Sequence, residues 1–297
     1  MSPRGVEPAD LRDPGDPARY PAALVETPAP SRPAAPAVVA VVVTRDPGPW
    51  LEQAVDALAA QDYSNLAVLF IDAASDTDPT PRIARALPNA YVRRLEENRG
   101  FGASANHVRE IVDGAAFFCF LHDDAAPEPG AIRTLVDEAV RSNAGIVGGK
   151  LVQLDDRRRL LQVGESVDKT GERSTVVDPG ELDQEQYDAV RDVFVVPGGC
   201  TLVRADLFEA IGGFDESIDL LNDDLSLCWR AHVAGARVVV APDAVIGHAE
   251  ALGERSDTSL RRQRLIRHRL RTMLVCYSRW HRVRVLPQAA FVAVLEI

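Results

Sequence analysis

A three-layer α/β domain with a mostly parallel sheet is the fold class that the sequence predicts. Short apolar runs rich in Val, Ile and Phe alternate along the chain with segments whose apolar residues recur at helical spacing. The first run, from Ala37 to Thr44, is apolar at every position before its end, which suits a parallel strand buried on both faces. Acidic residues follow several of these runs directly, as at Asp72 and Asp123.

The same patterns predict each element in order. Strands are predicted at residues 37–44, 66–71, 90–94, 117–121, 201–204 and 237–241. Helices are predicted near residues 50–59, 81–86, 103–112, 129–140, 206–211 and 223–234, with Pro49 and Pro129 suited to first helical turns. Residues 154–191 are charged and weakly periodic, so loops and minor strands are predicted there.

Composition divides the chain into three predicted segments. Residues 1–36 hold nine of the twenty prolines and predict a disordered Pro/Ala-rich tail. Residues 37–250 form the predicted α/β domain, and residues 251–297 an Arg-rich helical segment. The net charge of −11 argues against a nucleic-acid partner, although the stretch from Arg255 to Arg284 carries ten arginines and a single acid.

That arginine-rich stretch supports two interpretations. Its arginines interleave with apolar residues, as in an amphipathic helix lying on an anionic membrane surface. The alternative is a solvated helix that packs its apolar stripe on the domain. The membrane interpretation is favoured because another apolar run, residues 289–295, follows it. The chain has no secretory signal and no run of about 18 apolar residues. Because the apolar run at residues 288–297 looks cut short, we expect a longer membrane-associated protein at the cytoplasmic face of the plasma membrane.

Polar side chains stand where the predicted parallel strands end. They are Thr44 and Arg45 after the first strand, Asp72 after the second, and His122, Asp123 and Asp124 after the fourth. Ligands of such sheets bind beyond the carboxyl ends of the strands. Carboxylates there can ligate Mg²⁺ or Mn²⁺, whereas the simpler interpretation is a set of turns and helix caps.

Two further features lie downstream. Asp223 and Asp224 open a predicted helix, where an acid often only caps the helix; one of two adjacent acids could instead be a general base. His248 follows a strand, and a single His is more often structural than a ligand.

A glycine-containing turn beginning at Asn98 could present backbone N–H groups to a phosphate, or be a simple loop. No G-x-G-x-x-G fingerprint follows the first strand, which argues against NAD-type chemistry.

Taken in their order along the chain, these sequence features resemble family 2 glycosyltransferases of the GT-A fold, and most of all their rhamnosyl- and galactofuranosyl-transferase-like members. The resemblance covers residues 38–248. Its most diagnostic parts are the Gly-Gly-Phe-Asp-Glu run at residues 212–216 and the spacing from there to Asp223 and Asp224. It implies a Rossmann-like α/β/α domain with C-terminal amphipathic helices, in the N-terminal catalytic part of a longer, actinobacterial-type membrane-associated protein.

The resemblance also implies roles for single residues. Asp224 matches the presumed base, with Asp223 beside it in place of the usual Glu. Asp124 matches the metal-binding acid of the D-x-D motif, and His248 a histidine that can complete the metal site; His122 takes the first position of that motif. The expected contacts to the nucleotide come from Thr44, Arg45, Asp72, Asn98 and Asp123.

The function expected from this resemblance is an inverting, Mg²⁺- or Mn²⁺-dependent transfer of a sugar in cell-envelope synthesis. The donor would be a UDP- or dTDP-sugar, and the acceptor a hydroxyl of a glycan or a lipid-linked molecule. Two alternatives stay open: a catalytically silent sugar-nucleotide-binding or scaffold domain, and a nucleotidyltransferase. The latter would want a basic, Gly-rich phosphate loop, which residues 44–50 do not supply.

Overall fold

A computed structural model describes residues 35–250 and 258–296 of the chain. The chain divides at residue 35, and residues 36–297 form the compact unit to which the following description applies. The predicted tail lies outside the described residues, apart from its last two positions.

The strands agree with most of the predicted ones and add several short ones. They are β1 (Val38–Thr44), β2 (Leu66–Asp72), β3 (Tyr91–Arg94), β4 (Phe117–His122), β5 (Ala125–Pro127), β6 (Ile146–Gln153), β7 (Leu160–Gln162), β8 (Glu165–Val167), β9 (Arg173–Thr175), β10 (Arg191–Asp192), β11 (Cys200–Arg204) and β12 (Val238–His248).

The helices follow the predicted order and continue into the C-terminal segment. They are α1 (Leu51–Ala59), α2 (Thr80–Ala86), α3 (Phe101–Ala105), α4 (Val108–Ile111), α5 (Ala131–Ser142), α6 (Ala205–Ala210), α7 (Asp223–Val233), α8 (Thr258–Cys276) and α9 (Arg279–Glu296). None of the helices in the described ranges has the length and apolar character needed to cross a membrane.

Ten of the described strands form one mixed sheet in the order β10-β12-β6-β11-β4-β1-β2-β3, with β5 beside β12 and β7 beside β6. Strands β4, β1, β2 and β3 run parallel to one another. Strand β11 is antiparallel to both of its neighbours, β4 and β6. Strands β8 and β9 form a separate hairpin. The predicted fold class, a three-layer α/β domain with a mostly parallel sheet, is confirmed.

Alternate residues of β1 enter two different cores. Val38, Ala40 and Val42 pack on one face of the sheet, whereas Val39, Val41 and Val43 pack on the other. Side chains alternate across a strand, so a run that is apolar throughout requires cover on both faces. The fully buried Phe70 and Phe120 belong to opposite cores, and burying each contributes about 1.5–3 kcal/mol.

The sequence patterns predicted no strand at β6, and tertiary packing explains why one forms there. Two glycines and a lysine interrupt its apolar run. A Cβ on Gly148 would lie 2.5 Å from the Val196 Cβ, and one on Gly149 would lie 2.2 Å from the Ala244 carbonyl oxygen. Buried Lys150 pairs with Asp183 and Asp188. The two glycines and Lys150 are needed for close contacts with residues from distant parts of the chain. Local strand propensity does not predict such contacts.

The helix predicted at residues 103–112 is wrong as a single element, because α3 ends at Ala105 and α4 begins at Val108. Asn106 lies at the interruption. Its side-chain amide donates to the Phe214 carbonyl (3.0 Å), and its Oδ1 accepts from the Phe214 amide (2.8 Å). This pair of bonds connects the interruption to the loop that precedes α7.

Helix α8 packs one face on the domain and exposes the other. The side chains of Ile266, His268, Thr272 and Met273 are buried. The opposite face and the following α9 expose large apolar side chains, at Leu260, Leu274, Val275, Trp280, Val283 and Phe291. The packed face agrees with the interpretation of the arginine-rich stretch as a solvated helix that packs its apolar stripe on the domain. The exposed apolar side chains are the basis on which binding to a membrane surface is proposed below.

Candidate functional site

The register of the parallel strands gathers the predicted rim residues. Thr44 lies opposite Asp72 across the β1–β2 pair, and Val43 lies opposite His122 across the β1–β4 pair. The Thr44 hydroxyl donates to Asp123 Oδ2 at 2.7 Å. The carboxyl ends of three neighbouring strands therefore meet at one edge, as expected for the ligand-binding edge of such a sheet.

Asp72 is fully buried, and its carboxylate accepts two hydrogen bonds. The Ser75 amide donates to Oδ1 at 3.0 Å, and Arg94 Nε donates to Oδ2 at 2.7 Å. Both carboxylate oxygens are therefore bound by donors of the protein itself, and the side chain is not exposed to solvent. The structure thus presents Asp72 as a rigidly held acceptor at the rim.

Two other residues predicted to contact the nucleotide are on the surface. Arg45 and Asn98 are exposed, and Asn98 Oδ1 accepts from the Gly100 amide at 2.9 Å. Gly100 has a φ of 99°, and a Cβ there would lie 2.1 Å from the Asp219 carbonyl oxygen. Only glycine fits this turn, which shapes the loop that carries Asn98.

His122, Asp124 and His248 converge on one point. Each offers a ligand atom, and all three atoms lie within 4.8 Å of one another. His122 Nδ1 is 3.2 Å from His248 Nε2, which in turn is 3.1 Å from Asp124 Oδ1. Pairing of β5 with β12 sets His248 opposite Ala125, the residue after Asp124. Two imidazoles and a carboxylate could hold a divalent metal ion.

The environment favours the neutral form of His122 that metal binding requires. Loss of hydration, and after it the neighbouring His248, lowers the pKa of His122 to about 4 against the opposing effect of the Asp124 and Asp224 carboxylates. A neutral imidazole has a lone pair available for a cation. The donor set and its protonation therefore fit a divalent metal.

The acidic pair stands at the first turn of α7 after two unusual backbone conformations. Leu221 and Asn222 have φ values of 65° and 63°, and each left-handed non-glycine residue costs of order 1–3 kcal/mol. Helix α8 helps to hold this turn: His268 Nδ1 donates to the Leu220 carbonyl (2.8 Å), and Asn222 Nδ2 donates to the Leu265 carbonyl (3.0 Å). Such strain is typical of functional sites.

The two carboxylates have different surroundings. Burial and the adjacent charge of Asp224 raise the pKa of Asp223 to about 7. Asp224 is held by Arg173, whose Nη1 and Nη2 each donate to one carboxylate oxygen at 2.8 Å. Arg173 also binds the buried Glu165, whose pKa is raised by burial. Arg173 therefore orients the Asp224 carboxylate.

One pocket of about 620 Å³ brings these groups together. His122, His248, Asp223 and Asp224 all line it, together with Arg173. Gly198 separates the two halves of the site: a Cβ there would lie 3.3 Å from His122 Nε2 and 3.8 Å from Asp224 Cβ. Asp72 and Asn98 are not among the residues that line this pocket.

Sequence reasoning missed Glu165, Arg173 and the pocket-lining part of α8. The first two come from the β8–β9 hairpin in a segment predicted as loops and minor strands. Opposite charges at residues 165 and 173, on either side of a Gly-containing turn, were the only local signal. Helix α8 contributes Arg261, Arg262 and Arg269 to the pocket.

Comparison with known protein families gives a match over residues 39–212 to the family described as Glycosyl transferase family 2. The matched segment is more than half of the chain. It includes the strand ends and the D-x-D position, whereas Asp223, Asp224 and His248 follow it.

Curated relatives include a rhamnosyltransferase and an O-antigen biosynthesis protein. The chain is 28% identical over 241 residues to the N-acetylglucosaminyl-diphospho-decaprenol L-rhamnosyltransferase of Mycobacterium tuberculosis, covering 71% of this chain and 75% of the relative. It is 26% identical over 230 residues to the O-antigen biosynthesis protein RfbC of Myxococcus xanthus, covering 75% of this chain but 18% of that longer protein.

Solved structures share the fold at low sequence identity. A mannosyltransferase from Pyrobaculum calidifontis, in complex with GDP-Man and Mn²⁺, superposes with a TM-score of 0.58 at 20% identity, over 88% of this chain and 74% of that one. S. aureus TarS, in complex with UDP-GlcNAc, gives 0.59 at 16% identity, over 86% and 71%. The architecture is that of GT-A glycosyltransferases, and the chain belongs to glycosyl transferase family 2.

Proposed function

We propose that this protein is an inverting, metal-assisted glycosyltransferase that moves a sugar from a nucleoside-diphosphate-sugar to a hydroxyl of a lipid-linked or glycan acceptor. The observation that carries the proposal is the single pocket lined by the acidic pair and by two members of the His122–Asp124–His248 cluster. Such a transfer needs a cation at the leaving diphosphate and a carboxylate at the attacking hydroxyl, and this pocket holds candidates for both.

Asp224 is the proposed base. Arg173 orients it, and a guanidinium bond to each oxygen still leaves lone pairs for an acceptor hydroxyl. Asp224 accepts the proton as that hydroxyl oxygen attacks the anomeric carbon from the face opposite the leaving group. The C–O bond to the diphosphate breaks as the new one forms, so the anomeric configuration inverts.

His122, Asp124 and His248 would hold the divalent metal. When bound, the metal supplies positive charge that stabilises the departing diphosphate. Two imidazole nitrogens in the donor set favour Mn²⁺ over Mg²⁺, which prefers oxygen ligands. Thr44, Asp72 and Asp123 would bind the nucleotide at the rim, with Arg45 and Asn98 contributing from the surface, and UDP or dTDP is the proposed carrier.

A donor screen tests the proposed function. Incubation with UDP- and dTDP-sugars should release nucleotide slowly with at least one of them, and only when Mn²⁺ is present. A short-chain lipid diphosphate sugar acceptor should accelerate the release and yield a product of inverted anomeric configuration by NMR. Donor binding without any release would show a catalytically silent domain, and retention of configuration would contradict the inverting mechanism.

The location at the cytoplasmic membrane face is proposed from the outer surface of the C-terminal helices. Trp280 and Val283 are 82% and 71% exposed beside several arginines. Arginines and exposed aromatic side chains together suit an anionic membrane interface. A lipid-linked acceptor would be reached from there.

Flotation with vesicles tests this location. We expect the protein to bind vesicles that contain phosphatidylglycerol, and Trp280→Ser with Val283→Ser to weaken that binding roughly tenfold. The matched control is Val140→Ser with Val233→Ser, which removes two exposed apolar side chains from other helices. Equal vesicle binding by both double variants would contradict the proposed membrane face.

A further inference from the structure

We infer that Arg261 and Arg262 of α8 form a subsite for the diphosphate of a lipid-linked acceptor. The inference rests on the proposed function, which it deepens by naming the acceptor's chemical class and the residues that recognise it. It starts from the finding that part of the arginine-rich segment lines the pocket.

Five of the six arginines of α8 fall into two groups. Arg264, Arg269 and Arg271 pair with Asp219, Glu172 and Asp215, and so attach the helix to the domain. Arg261 and Arg262 line the pocket instead, and neither forms an ion pair with any residue in the described ranges. Because α8 also binds the turn before α7 through His268 and Asn222, the helix that carries these two arginines has a set position relative to the acidic pair.

The charges already in the pocket are mostly matched. Arg173 is bound by Asp224 and Glu165, and Arg269 by Glu172. The lining also holds the carboxylates of Asp223 and Glu250, and Arg261 and Arg262 are its two arginines that pair with no carboxylate in the described ranges. Guanidinium groups bind phosphate oxygens through paired, charge-assisted hydrogen bonds. An anionic phosphate group is the ligand that these cations suit.

The rest of the pocket assigns that phosphate to the acceptor. The donor's diphosphate has its own proposed site at His122, Asp124 and His248, so a second anion site in the same pocket serves the other substrate. Apolar side chains stand beside the arginines, at Leu220, Leu221, Leu265 and Ile266. Phosphate-binding cations next to an apolar wall suit a diphosphate that carries a lipid chain, with its sugar directed towards Asp224.

The test is Arg261→Gln with Arg262→Gln, and the matched control is Arg267→Gln, which removes an exposed arginine of α8 that does not line the pocket. Kinetics are measured in detergent, without membranes, using a sugar on a short-chain lipid diphosphate and the same sugar as a phosphate-free alkyl glycoside. We expect the double variant to raise KM for the diphosphate acceptor roughly tenfold or more. KM for the alkyl glycoside and for the donor should not change.

A binding arm keeps the inference testable if no turnover is found. Titration with geranyl diphosphate, without donor or metal, should give a Kd roughly tenfold higher for the double variant than for the wild type and for Arg267→Gln. Equal Kd and equal acceptor KM would overturn the inference and leave the proposed function intact. A rise in donor KM alone would assign the arginines to the donor's diphosphate and also overturn it. Absence of donor turnover in the wild type would contradict the proposed function, whereas the titration with geranyl diphosphate would still decide the inference.

Discussion

Asp224→Asn is expected to reduce sugar transfer by about 10²–10⁴-fold, the usual effect of removing a general base. The amide cannot accept the proton of the acceptor hydroxyl, although it keeps the size of the side chain. Nucleotide binding should persist, because Thr44 and Asp72 lie at the strand ends and not at the first turn of α7. Transfer rates together with calorimetric titration of the nucleotide diphosphate measure both effects.

Asp223→Asn is the matched control for this result. The pKa of Asp223 is raised to about 7, so near pH 6.5 most Asp223 side chains are already protonated, and a neutral amide resembles that form. We therefore expect Asp223→Asn to keep transfer at pH 6.5 within roughly tenfold of the wild type. A large loss in Asp223→Asn, with near-normal transfer in Asp224→Asn, would reverse the proposed roles.

Asp124→Ala is expected to abolish Mn²⁺ binding and to lower transfer by at least about a hundredfold. A bound metal typically supplies several kcal/mol of charge stabilisation at a leaving group, and Asp124 is the single carboxylate of the three-residue cluster. Chelation of the wild type with EDTA should have the same effect, and added Mn²⁺ should restore activity to the wild type alone. Calorimetry with Mn²⁺ in the presence of UDP measures the binding.

Asp123→Asn separates the metal from the nucleotide. Asp123 accepts from Thr44 and is not a member of the His122–Asp124–His248 cluster. The variant should therefore bind Mn²⁺ with nearly unchanged affinity. If Asp123→Asn lost Mn²⁺ and Asp124→Ala retained it, the three-residue cluster would not be the metal site.

Local patterns predicted the parallel half of the sheet well, because those strands depend on short-range features. Strands β1, β2 and β4 are buried on both faces, so each appears in the sequence as a continuous apolar run. Strand β6 does not appear as such a run, because its glycines make room for Val196 and Ala244 and its Lys150 pairs with two distant acids.

The candidate site divides in the same way. The strand-end acids, the acidic pair and His248 were all identified from residue type and order, with help from the family resemblance. The pair of hydrogen bonds from Arg173 to Asp224 was not predicted. It joins residues 51 positions apart, and Arg173 lies in a hairpin without an apolar pattern. The role of α8 at the pocket was also missed, since the spacing of its arginines describes only its amphipathic character.

The sequence by itself determined the fold class, the placement of acids at strand ends and the resemblance to family 2 glycosyltransferases. These follow from residue type, periodicity and spacing, which are local properties. Only the tertiary structure decided that His122 approaches His248 across 126 positions of chain, that Arg173 holds Asp224, and that α8 lines the pocket with three arginines. Those contacts arise from strand pairing and helix packing, whose geometry depends on the whole folded chain and not on any one segment of it.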